Sequence, residues 1–151
     1  MRLKRAPFVA GMAISLADPG GPIEVVKETA ATLKTVQGAA ESGGQGELID
    51  TLAKEVLAEA RHRESPLRGF KPKGSMAGQE IVEELSEVNG IVSAKATPEE
   101  ADAYRAWLRA AAQEAANAAK EGGFMGFHAE RVSEGEQRML DKLAEVLPPP
   151  A

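Results

Sequence analysis

Apolar residues recur along this chain at intervals of three and four, and no run alternates apolar with polar residues at a period of two. The first spacing stacks side chains on one face of a helix; the second would mark a strand. Phe8, Val9, Met12, Ala13 and Leu16 share one face of a helix expected over 7–17, with Pro7 at its start, where a missing N–H is tolerated. Asp18-Pro19-Gly20-Gly21 ends that helix, and Pro22 opens a second, expected to reach Gln37 with Ile23, Val26, Ala30 and Leu33 on one face. Residues 38–46 read as a polar loop. A third helix is expected over 47–63, with Ile49, Leu52, Val56 and Ala60 as its stripe, and Pro66 stops it. After the loop RGFKPKGS, a fourth begins near Met76 and carries Ile81, Leu85, Val88 and Val92. Asn89-Gly90 either breaks it or lies inside a helix running on to Ala94; the apolar spacing favours continuation.

The last two helices announce their own starts. Thr97-Pro98-Glu99-Glu100 is a capping box with proline in the first turn, and Ser133 with Glu136 is a second. Beyond the first box, Ala101, Tyr104, Leu108, Ala111, Ala115 and Ala118 step by three and four. Alanine on such a seam lets another helix approach closely, either within the chain or across a homodimer. Gly122-Gly123 ends this helix. Met139, Leu140, Leu143, Val146 and Leu147 form the apolar face of the sixth, and the residues from Pro148 to Ala151 make a frayed tail. The pattern predicts an all-α fold: one domain over 1–151, a bundle of about six helices.

Two helix–Gly-Gly turn–helix corners form a weak internal echo, AGMAISLADPGGPIEVVKE and AANAAKEGGFMGFHAERVSEGEQ. The second contains an unusual loop. Phe124, Met125 and Phe127, delivered by flanking glycines, read as a plug closing the open end of an alanine-rich helix pair. Exposed, they would instead be a knob for a protein partner, with His128 beside them.

Composition narrows the rest. The content is 43% apolar and 27% charged, as in soluble globular chains. With no cysteine, disulfides, thiolate catalysis and sulfur-ligated zinc are excluded, and a cytoplasmic home fits best. No apolar run approaches the roughly 20 residues that span a bilayer, so no membrane is expected. The basic start and Ser15-Leu16-Ala17 resemble a leader with its cleavage site, but Gly11 interrupts the run and its apolar face suits a retained core helix. Residues 76–151 hold 7 Lys+Arg against 14 Asp+Glu, a balance that repels nucleic acid. Arg61, Arg63, Arg68, Lys71 and Lys73 nevertheless gather near Phe70, as a solvated loop or a site for an anionic partner.

No catalytic constellation emerges. His62 and His128 lie in different segments outside any H-E-x-x-H motif, GGFMGF lacks the lysine and hydroxyl of a phosphate loop, and none of the serines sits in G-x-S-x-G or S-x-x-K. The expectation is a non-enzymatic binding or interaction module without a cofactor, joined to a protein partner or to copies of itself.

Two resemblances accompany this reading. Ala17 to Ile23 (ADPGGPI) and Lys120 to Glu136 (KEGGF-x-GF…VSE-x-E) are similar to segments of uncharacterised bacterial proteins of comparable length, which bring no activity with them. The alanine-rich helix, acid-glycine turn and early glutamate also resemble the tellurite-resistance TerB-like helical proteins. That resemblance implies a stress-response protein holding Ca²⁺ or Mg²⁺, with Asp18, Glu24, Glu121 and Glu134 as ligands, Glu28 as a further one in the first copy and Glu136 as the alternative to Glu134 in the second. The chain departs from that pattern in Asp-Pro-Gly for Asp-Gly, in Glu121 for the second aspartate, and in the inserted GGFMGFHAERVS.

Overall fold

The computed structural model describes residues 1–17, 22–120 and 132–151, with side chains for all of these except 22–26, 119 and 120. These residues form a helical bundle, 80% helical and without strands. The helices are α1 (Arg2–Ala17), α2 (Pro22–Ser42), α3 (Glu47–Arg61), α4 (Ala77–Lys95), α5 (Pro98–Lys120) and α6 (Glu134–Val146), with a 3₁₀ turn at Gly74–Met76 ahead of α4.

Helix α1 is the hub. It packs against each of the other five helices, and Ala6, Val9, Ala10, Ala13 and Ile14 are wholly inaccessible to solvent. It starts five residues before the expected position, so Pro7 lies inside it. Proline lacks the N–H that would bond the carbonyl four residues earlier. Here that carbonyl belongs to Leu3, and the Tyr104 hydroxyl donates to it at 2.7 Å. The bond lost to proline is replaced by one from α5, which is how the helix runs through Pro7. Burial pushes the Tyr104 phenol far above its ordinary pKa, so it remains a donor.

The α5 seam packs inside the chain. Ala101, Tyr104, Leu108, Ala111 and Ala115 are buried, and α5 lies against α1 and α2. Tyr104 and Trp107 meet edge to face, centroids 5.9 Å apart and planes at 60°. Helix α4 continues unbroken through Asn89-Gly90, as the spacing of Ile81, Leu85, Val88 and Val92 favours.

Helix α2 corrects two expectations. It continues past Gly38 to Ser42, because Val36 and Ala39 are buried on either side of the glycine. Over its described side chains, 27–42, the buried face is also not the expected one. Ala30 is exposed and Leu33 is 37% exposed, whereas Glu28, Thr32, Val36 and Ala39 face inward. Two polar residues are tolerated there because the Thr32 hydroxyl donates to the Glu28 carbonyl at 3.0 Å and the Glu28 carboxylate accepts from Ser15.

Candidate functional site: a clamped basic loop

Residues 62–73 connect α3 to the 3₁₀ turn. At twelve residues this connection is about twice as long as the usual one in a compact domain. This one is fixed from below by α1 and α4. Arg5 of α1 and Glu84 of α4 are 8% and 7% exposed. The Arg5 Nε and Nη2 both donate to Glu84 Oε1, at 2.9 and 2.6 Å. Glu84 receives a second cation, Arg2, at 3.7 Å. The remaining arm of the guanidinium reaches into the loop: Nη1 donates to the Arg68 carbonyl at 3.2 Å, and the Arg5 Cζ lies 5.4 Å from the centre of the Phe70 ring. Gly69 sits between these contacts with φ +81°, and a Cβ there would approach Arg5 Nη1 to 3.2 Å.

The loop also braces itself. Arg68 N–H donates to Ser65 O at 3.0 Å and Phe70 N–H to Leu67 O at 2.9 Å. Lys73 N–H donates to Glu80 Oε2 at 3.2 Å. Leu67 and Phe70 pack against the core.

Its entry is unusual. Arg63 N–H bonds Ala60 O and Glu64 N–H bonds Glu59 O, the pair of bonds that closes a helix in a Schellman motif. The residue at the left-handed position of that motif is normally glycine. Here it is Arg63, at φ +59°, the one described residue other than glycine with positive φ.

The charges are one-sided. Residues 61–73 hold five Lys or Arg and one Glu in a chain of net charge −5. Arg61, Arg63, Arg68, Lys71 and Lys73 are all exposed. Glu64 pairs with Arg68 at 3.2 Å; among the described residues the other four have no ion-pair partner. Nearby, the Glu59 hydrogen bond holds the Lys4 ammonium above its ordinary pKa against the opposing effect of burial.

Most of the residues expected to carry a site fall elsewhere. Asp18, Glu121, Phe124, Met125, Phe127 and His128 lie outside the described residues, as do the two Gly-Gly corners; Glu24 lies on α2, where only the backbone is described. Glu134 is exposed in the first turn of α6, and Glu136 closes the capping box with Ser133. The end of α1 and the start of α6 do approach each other. Gly135, next to Glu134, lies so close to Ala17, next to Asp18, that a Cβ at 135 would fall 2.5 Å from the Ala17 carbonyl oxygen. Among the described residues no three His, Asp or Glu side chains cluster as cation ligands, and no helix is long and apolar enough to cross a membrane.

A separate cleft of about 740 Å³ opens between α2 and α5, lined by small residues including Gly38, Ala39, Ala103, Ala106 and Ala110. Trp107 forms part of its wall, and its indole N–H has no hydrogen-bond partner among the described residues.

No family model, curated protein or solved structure matches this chain.

Proposed function

We propose that this protein is a non-enzymatic interaction module that presents loop 62–73 to a protein partner. The observation that supports this reading is the commitment of a buried charge pair, Arg5 with Glu84, to holding an exposed basic loop in one shape. Burying two charges contributes little net stability compared with apolar side chains of the same volume. Fixing the loop in advance lowers the ordering cost a partner would otherwise meet.

A divalent-cation module of the TerB-like kind is the second reading, favoured by the close approach of Ala17 and Gly135, which neighbour Asp18 and Glu134.

One set of measurements separates the two. Tagged protein recovered from its native extract is expected to elute in gel filtration as a complex larger than its 15.9 kDa. Arg61→Gln/Arg63→Gln/Lys71→Gln/Lys73→Gln is expected to elute as the free chain while keeping its helical circular dichroism. A variant that retains the complex removes the loop from the interface. Calorimetric titration with Ca²⁺ and Mg²⁺ decides the second reading: heat and a raised melting temperature that vanish in Glu134→Gln support it, and a flat titration ends it.

A further inference from the structure

We infer that the partner of loop 62–73 is an acidic polypeptide segment, an inference that rests on the interaction reading above. The loop and its entry residue carry a net charge of +4, which leaves −9 on the remainder of the chain. This local excess of positive charge attracts an anionic segment, while the net negative charge of the rest of the chain disfavours a long polyanion. A nucleic-acid strand also gains much of its affinity for protein by stacking bases on exposed aromatic rings. The loop offers one ring, Phe70, and it is half-buried against the core beside the Arg5 guanidinium. An anionic membrane would want an apolar side chain to insert beside the charges. Leu67 and Phe70, the large apolar residues of the loop, are both turned onto the core.

A single small anion fits no better. Arg61, at the end of α3, and Arg63, Lys71 and Lys73, in the loop, are all exposed, so none of them lines an enclosed pocket. Spaced cations on a stiff backbone match spaced carboxylates on an extended chain. Arg63 strengthens the inference. A glycine at its left-handed position would relieve strain, so the arginine holds a charge at that spot at the expense of local stability.

The test uses the purified full chain and fluorescein-labelled decaglutamate, followed by anisotropy. In 50 mM salt the peptide is expected to saturate at micromolar protein, and affinity is expected to fall at least tenfold by 300 mM. Arg63→Gln/Lys71→Gln/Lys73→Gln is expected to weaken binding at least tenfold. Lys34→Gln/Lys54→Gln/Lys95→Gln removes the same charge from exposed sites elsewhere and is expected to change it less than twofold. Arg63→Gly is expected to bind more weakly while melting at a higher temperature, a combination that a merely structural arginine would not give. The inference is overturned by equal losses in the two triple variants, by no binding at 50 mM salt, or by tighter binding of a 20-nucleotide oligothymidylate or of phosphatidylserine vesicles. If the native complex depends on the loop while decaglutamate does not bind, the partner chemistry is wrong and the interaction reading stands. If the complex survives the loop variant, the interaction reading itself fails.

Discussion

Arg63 shows most directly how a single residue can run against local physical preference. The Schellman bonds to Ala60 and Glu59 demand left-handed backbone at this position, and an L side chain there costs roughly 1–2 kcal/mol by steric crowding. Glycine removes that crowding but loses more entropy on folding. Arg63→Gly is therefore expected to stabilise the protein by about 0.5–1 kcal/mol in urea denaturation, and a neutral or destabilising result would mean that the side chain has packing of its own. Nothing in the sequence RHRESP marks this arginine as left-handed, because the position depends on where α3 stops. With Pro66 as the stop signal, the expected helix runs to 63, two residues past the end of α3 at Arg61.

At the scale of elements, glycines divide by what surrounds them. Gly90 lies mid-helix in α4, and a methyl group added there would meet nothing within 4 Å. Gly90→Ala is therefore expected to raise stability by about 1 kcal/mol through helix propensity alone. Gly135 lies where α6 meets the end of α1. Its Cβ would fall 2.5 Å from a backbone carbonyl that cannot rotate away, so Gly135→Ala is expected to cost about 1–3 kcal/mol through forced backbone shifts. Thermal melts of the two variants should move in opposite directions. Both glycines look alike in the sequence, one after Asn89 and the other after Glu134. Helix α2 carries the same lesson: Ile23, Val26, Ala30 and Leu33 have good helical spacing, yet the packed partners α1 and α5 select the face with Thr32, Val36 and Ala39. Periodicity shows that a helix has a face, and competing faces are decided by what each one meets.

For the whole molecule, the central link is Arg5. It joins α1 to α4 through Glu84 and to loop 62–73 through Arg68 and Phe70. Arg5→Ala leaves a buried carboxylate without its main partner and is expected to cost about 3–5 kcal/mol. Arg5→Met with Glu84→Leu should recover most of that loss, since apolar replacements of similar volume are often neutral. The double variant should still lack the clamp: amide exchange at residues 65–70 is expected to quicken against the parent while the α5 amides keep their protection. Unchanged loop exchange in the double variant would show that Leu67 and the turn bonds hold the loop without Arg5. The basic run is visible in the sequence, but nothing there couples it to Arg5, which lies far away along the chain and reads as part of a basic N-terminus.

By itself, the sequence determined that this chain is helical, that the described residues form six helices, and where α5 and α6 begin. Those features depend on contacts three or four residues apart, such as the Thr97–Glu100 and Ser133–Glu136 boxes and the 101–115 seam. Only the tertiary structure decided which face α2 buries, how α1 runs through Pro7, and that a buried arginine pins a charged loop. Each of these depends on groups from distant parts of the chain supplying the missing hydrogen bond or countercharge, and spacing along the sequence carries no record of who that partner will be.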